Sequence, residues 1–256
     1  MQYFIQETWA MTRRWLHRLR REPMSITFSI LQPLIWLLLF GNLFQKAAAI
    51  PGMAPGTYLA FMTAGVVVMT VLNSGLFGGV EIMFDKETGF LERLLVAPIH
   101  RSALIVSRFL FVIGITSLQS LLILGLASLI GVPMATGIGG LAMTLIIGMM
   151  LGIGLIALST SLAFVVKGHG PFFALIGFIT LPLIFLSSAL VPRSVMPDWM
   201  SFLALLNPMT YAIEGVRSLI LTGWVWPLLI KLIGVLLLFD ALCLYLGVRI
   251  FRRSLG

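Results

Sequence analysis

Apolar positions in this chain fall in long unbroken blocks separated by short charged stretches. One block covers 25–45 and stops at Lys46; a second covers 57–80 and stops at Glu81 and Asp85. None of the 58 positions between Arg108 and Lys167 is charged. That interval is too long for one crossing helix, which needs about 20 apolar residues, and it fits two. The turn falls around Gly131-Val132-Pro133 and Gly137, so the third and fourth spans are read as 109–131 and 138–166. The fifth block covers 171–191 and the sixth 227–248. Pro171 and Pro227 suit a first helical turn, where the missing N–H is not needed. Pro182 predicts a kink in the fifth span. The fold class read from this pattern is an all-α, polytopic membrane protein with six transmembrane helices in a single unit, 1–256.

Three stretches depart from the spanning pattern. In 1–22, Ile5, Trp9, Thr12, Leu16 and Leu19 recur at helical spacing beside Phe4, Met11 and Trp15, with arginines following closely. This predicts an interfacial helix, its indoles at headgroup depth and its arginines toward anionic lipid; the alternative is a basic topogenic tail. The connection at 82–98 alternates charge with large apolar residues and stops at Pro98. It reads as one short helix with a docking face, or else as a solvated loop whose leucines rest on the bilayer. The stretch 192–222 is cut by Pro192, Pro197 and Pro208 into apolar pieces too short to span. These predict a re-entrant outer helical hairpin, either a moving cap or a static plug, in which Glu214 and Arg217, three apart, face one side and can pair.

Composition sharpens the picture. Hydrophobic residues are 59% and charged residues 10% of 256, too few polar side chains to cover a water-soluble domain. The formal net charge of +8 has a topological cause. Thirteen of the 17 Lys and Arg lie in segments that six spans place on one side: the N-terminal stretch, the 82–108 connection, Lys167 and the C-terminus. The positive-inside rule puts that side, with both termini, in the cytoplasm of a plasma (inner) membrane protein. The same sidedness speaks against a nucleic-acid partner. The first 24 residues lack the apolar core and cleavage site of a secretory signal, and the first span is expected to remain as an anchor. Cys243 is the single cysteine and lies in an apolar stretch, so it assigns no redox compartment.

Candidate chemistry is sparse. There is no G-x-x-x-x-G-K-[ST] phosphate loop; Lys167-Gly168-His169-Gly170 has the wrong spacing. His17, His100 and His169 are scattered, with no spacing suited to a metal. Asp240 is the one acid near the middle of a span, which makes it an intramembrane polar candidate or a hydrogen-bonded packing residue. An intramembrane enzyme would need clustered polar groups that the sequence does not provide. A non-transporting scaffold remains open on composition alone. Gly148 and Gly152 are spaced to let helices approach closely.

Two motifs are similar to those of the permease subunits of ABC-2 type exporters, a family that includes drug-resistance, Nod-factor and polysaccharide export permeases. Lys86-Glu87-Thr88-Gly89-Phe90-Leu91-Glu92-Arg93-Leu94-Leu95-Val96-Ala97-Pro98 resembles the family's E-x-G-T-x-E-x-L-x-x-x-P connection, with Phe90 where Thr is frequent. Asn207-Pro208-Met209-Thr210-Tyr211, followed by Arg217, resembles its C-terminal pattern. The resemblance covers essentially the whole chain. It implies a half-transporter that binds no cofactor itself and pairs with a second permease subunit, as homodimer or heterodimer. Each half docks a separate ATPase subunit that holds ATP and Mg. It further implies that Glu87, Gly89, Leu91, Glu92, Arg93, Leu94, Leu95 and Pro98 form the ATPase-coupling element. Asn207, Pro208, Tyr211, Glu214 and Arg217 would form an outer gate or cap. The implied function is ATP-driven export of an amphiphilic drug, lipid or lipid-like molecule, or of a polysaccharide or glycolipid.

Overall fold

The computed structural model describes residues 2–21, 23–45, 58–96 and 100–255. Lys46, Thr57 and Pro98 lie outside the described residues, and so does the Leu95 side chain. Every regular element described is helical. The α-helices are α1 Gln2–Arg21, α2 Pro23–Gln45, α3 Tyr58–Leu76, α4 Val80–Glu87, α5 Phe90–Val96, α6 Arg101–Leu129, α7 Gly137–Val165, α8 His169–Phe185, α9 Asp198–Leu206, α10 Pro208–Leu221 and α11 Trp226–Leu255. Short 3-10 turns sit at Phe77–Gly79 and Arg193–Val195.

Four segments are long and apolar enough to cross a membrane: Tyr58–Glu87, Ser102–Leu129, Gly137–Val165 and Trp226–Phe251. Two shorter apolar helices, Thr27–Leu39 and His169–Phe185, coincide with the first and fifth predicted spans. The fifth stops at Phe185 rather than 191. Leu186 N–H still bonds Pro182 O at 2.8 Å, but the chain leaves helical geometry at Leu186. Pro182 lies inside this helix, and its missing N–H leaves the Phe178 carbonyl, one turn before it, without that helical donor. The third helix starts at Arg101 rather than 109, because a single long helix carries the charged Arg108 inward on its buried face. The turn at Gly131 and Gly137 is found, both residues at positive φ (99° and 58°).

The core is built around α3, nearly all of whose side chains are buried, among them Met62, Val66, Leu72 and Leu76. It packs against α2, α6, α7, α8 and α10, while α11 runs along α7. At Gly148 and Gly152 a β-carbon would sit 3.3 and 3.7 Å from Val71, so these glycines do bring α7 close to α3. Contacts at the helix ends define two ends of the bundle. A charged end gathers α1, α4, α5, the start of α6 and α8 and the end of α7. A proline-rich end gathers Tyr58, Leu190, Thr136, α9 and α10.

Candidate functional site

The connection after α3 is not the single helix 82–98. It is two helices joined at Thr88–Gly89, where Gly89 takes φ 68°. That left-handed conformation suits glycine and turns the chain at the one position where the motif has it. The first helix, α4, is locked to the bundle. Ser159 on α7 reaches between the turns of α3: its hydroxyl donates to Leu76 O and accepts from Gly79 N–H at 2.9 Å. A β-carbon on Gly79 would lie 2.5 Å from Ser159 O, so glycine is required for this approach. Lys86 then caps α7, its Nζ 3.1 Å from Phe164 O and 3.4 Å from Ala163 O, where helical carbonyls lack partners.

Three of the four acids in this connection are engaged within the chain. Asp85 accepts from Arg14 Nη2 at 2.5 and 2.7 Å. Glu81 lies 2.6 Å from Arg18, and Glu87 lies 2.5 Å from His169. This changes the reading of α1. Trp9 is exposed, as an interfacial helix predicts, but Trp15 is 1% exposed. Its ring lies under the guanidinium groups of Arg14 (4.4 Å) and Arg108 (4.9 Å). Thus Trp15 is enclosed by protein instead of facing outward, and Arg14 and Arg18 meet carboxylates of the bundle. Pairing them on the bundle neutralises two acids that would otherwise be only partly solvated. Phe90, where the motif often has Thr, holds its ring 4.3 Å from the Arg14 guanidinium.

On α5, Leu91 is buried and Leu94 packs partly against the core, so they hold the helix to its own bundle. Glu92, Arg93 and Val96 point away, Val96 being 87% exposed. The predicted docking group therefore divides: Gly89, Leu91 and Leu94 shape and seat the element, Glu87 tethers α8, and Glu92 and Arg93 form its free polar face.

At the other end, 192–222 forms two helices, as expected. Asn207 joins them. Its Oδ1 accepts from Met209 N–H at 3.0 Å, an N-cap for α10 with Pro208 at the first position. Its Nδ2 donates to Leu183 O (2.8 Å) and Leu186 O (2.7 Å), satisfying carbonyls where α8 ends. Tyr211 Oη donates to Leu205 O at 2.9 Å. The expected Glu214–Arg217 pair is not formed. Glu214 faces Arg193 at 3.5 Å, while Arg217 turns inward, donates to Ser188 O at 2.7 Å and lies 3.4 Å over the Phe61 ring. Three-residue spacing leaves the two near each other on α10, but partners from outside the helix claim both: Ser188 and Phe61 take the arginine and Arg193 the glutamate. Asp240 is buried beside Gly154 on α7, and no basic side chain pairs with it among the described residues. No His, Cys, Asp or Glu cluster suited to a metal occurs among the described residues.

The sequence pattern marks neither Ser159 nor Arg108 as a site residue and reads Trp15 only as part of an interfacial helix, although all three organise the charged end. Arg108 had a signal: a charge within helical reach of an apolar run.

The family model described as ABC-2 type transporter matches residues 6–221. A putative transport permease, ycf38, of Porphyra purpurea is 34% identical over 265 residues, covering 98% of this chain and 91% of the relative. The probable doxorubicin resistance ABC transporter permease protein DrrC of Mycobacterium tuberculosis is 25% identical over 260 residues, covering 98% and 90%. The daunorubicin resistance ABC transporter permease protein DrrB1 of Streptomyces coeruleorubidus is 25% identical over 214 residues, covering 82% and 74%. A bundle of long apolar helices, a two-helix connection with the motif glycine at its turn, and a family match over most of the length converge: this multi-pass membrane protein belongs to the ABC-2 type transporter family.

Proposed function

We propose that this chain is the membrane-spanning subunit of an ATP-driven exporter that moves an amphiphilic molecule out of the cytoplasm or inner leaflet. ATP and Mg are held by a separate ATPase subunit, and the chain works beside a second permease subunit. The observation that carries this reading is α5: a short helix seated on the bundle by Leu91 and Leu94 and presenting Glu92, Arg93 and Val96 outward. It is joined to the central helix through α4, which Ser159 and Lys86 fasten to α7. A push on α5 is therefore delivered to α3 and α7 instead of being absorbed in a loop. The doxorubicin and daunorubicin resistance permeases among its relatives support an amphiphilic substrate.

Six crossings are supported by α8, which meets α4 at one end through His169 and α9–α10 at the other through Asn207. Its 17 residues reach about 26 Å, close to the thickness of the hydrocarbon core. The distribution of basic residues supports a cytoplasmic charged end with both termini on that side of the inner membrane. At the outer end the moving element is α9, which exposes Trp199, Phe202 and Leu206, whereas α10 is buried along Met209, Ile213 and Val216. Asn207, Pro208 and Tyr211 form the hinge between them, and Glu214 and Arg217 anchor it.

The test is Glu92→Lys in the assembled complex. Reversing one charge at a docking surface is expected to lower ATP-driven export at least tenfold, the equivalent of about 1.4 kcal/mol, with normal membrane insertion. Full export with unchanged ATPase assembly would remove α5 as the docking element. ATP hydrolysis that no amphiphile stimulates would favour a scaffold.

A further inference from the structure

Charge pairing around Trp15 leaves one cation over. Arg14 is taken by Asp85 and Arg18 by Glu81. Arg108 has no carboxylate partner among the described residues, although it is 5% exposed. Its Nε donates to Gly78 O at 2.6 Å, and its guanidinium lies 4.9 Å from the Trp15 ring and 5.3 Å from the Phe111 ring. Arg108 Nη1 and Trp15 Nε1 are both buried donors with no acceptor among the described residues. Buried donors are normally satisfied, because leaving one unpaired is unfavourable. Here two lie together beside a guanidinium that no carboxylate contacts, and both residues line one cavity of about 300 Å³ at the charged end, with the Arg18–Glu81 pair also on its wall.

That cavity adjoins a larger one, of about 660 Å³, between α2, α3, α6 and α8. The two share Ser29, Ser74, Phe77, Gln119 and Phe173. Gln119 bridges the junction, donating to Ser29 Oγ at 2.9 Å and facing Ser74 Oγ at 3.1 Å. Beyond it, the larger cavity mixes apolar groups such as Phe173, Ile176 and Leu181 with Asn73 and Thr180.

We propose that Arg108 and Trp15 bind the anionic headgroup of an amphiphile, a phosphodiester or carboxylate, whose body extends past Gln119 into the cavity between α2, α3, α6 and α8. An anion supplies the acceptor that both donors lack, with the Glu81 carboxylate on the same wall held by Arg18, and charge-assisted hydrogen bonds are the stronger kind. The inference rests on the transport reading and narrows its substrate to amphiphiles with a negative head.

The test uses the purified full chain in detergent, without ATPase, and reads retained lipid by native mass spectrometry. The probes are dioleoylphosphatidylglycerol, which is anionic, dioleoylphosphatidylcholine, which is neutral overall, and inorganic phosphate. Wild type is expected to retain the anionic lipid about tenfold over the neutral one, and Arg108→Gln to abolish that preference. Arg108→Lys should keep part of it. Trp15→Phe, which keeps the ring and removes the N–H, should weaken it several-fold and serves where Arg108→Gln does not fold. Equal retention of the two lipids, or an unchanged preference in Arg108→Gln and Trp15→Phe, overturns the proposal. Complete displacement of the anionic lipid by inorganic phosphate also overturns it, since the site would then hold a soluble anion. Because binding is read without ATP, the two readings fail separately. Preference without ATP-driven export defeats the transport reading, and export without preference defeats this one.

Discussion

At the charged end, α1 and α4 are tied together by the ion pairs Arg14–Asp85 and Arg18–Glu81, and α8 joins α4 through the contact of the His169 ring with Glu87. At the proline-rich end, α8, α9 and α10 are tied by neutral side chains to backbone carbonyls: Asn207 to Leu183 and Leu186, and Tyr211 to Leu205. The charge that turns inward there, Arg217, also goes to a carbonyl, that of Ser188, and the ion pair at that end, Arg193–Glu214, is long at 3.5 Å. Both ends must satisfy backbone and side-chain groups at the limits of helices, and they do so with different chemistry. Ion pairs with one partly exposed member adjust to salt, pH and the approach of another charged surface. Hydrogen bonds to carbonyls inside a bundle do not. In the function proposed above, the difference would suit one end to receiving a charged docking partner and the other to holding α8 and α10 together while α9 moves.

The sharpest way to break the comparison is at Asn207. Asn207→Ala removes the cap of α10 and leaves the Leu183 and Leu186 carbonyls without their donor. The expected loss is about 3 kcal/mol, from a cap of about 1 and two buried acceptors of about 1 each. Thermal unfolding in detergent should show it equally at low and high salt. A loss below about 1 kcal/mol would mean that α8 and α10 are held together by packing alone.

The charged end should respond in the opposite way. A double-mutant cycle on Arg14→Met and Asp85→Asn is expected to give a coupling of about 1–3 kcal/mol, reduced by salt because Arg14 is partly exposed. Coupling indistinguishable from zero would show that the Arg14–Asp85 pair does not hold α1 to α4.

The smallest effect concerns Glu7. It accepts from His100 N–H at 3.0 Å, and its carboxylate lies 2.9 Å from the His100 ring. The His100 backbone N–H, followed by the ring, holds its pKa below the ordinary 4.5. A carboxylate with a lowered folded pKa contributes above its unfolded value and loses that contribution as pH falls through the lowered one. Hydrogen exchange in α1 should therefore speed up modestly in acid below that range, with α9 and α10 unchanged. Glu7→Gln should exchange faster at neutral pH and lose the acid response. An acid response that persists in Glu7→Gln would assign it elsewhere.

Much of this arrangement is legible in the sequence. Uncharged blocks near the length of a bilayer crossing already specify apolar helices, because in lipid only helices and closed barrels satisfy the backbone, and barrel strands are short and alternate in polarity. The Gly131 and Gly137 turn and the split of the outer connection at Pro208 follow from local backbone rules, whereas the break at Gly89 is missed, because 82–98 reads as one helix until its glycine is seen at positive φ. Local rules stop at partners distant in the chain. Arg14 and Asp85 are 71 positions apart and Asn207 and Leu183 are 24 apart, and no periodicity encodes either pairing. Helical spacing alone suggested Glu214 with Arg217, yet burial of one face of α10 gave Arg217 to Ser188 and Phe61 and left Glu214 for Arg193. Trp15 looked like a lipid anchor because one helix viewed alone has only lipid or water to face. The sequence by itself determined which segments are apolar helices and where they break, since both follow from side-chain solubility and backbone geometry. Only the tertiary structure decided which charges meet, which tryptophan is enclosed and which arginine is left over, because those depend on where the helices cross.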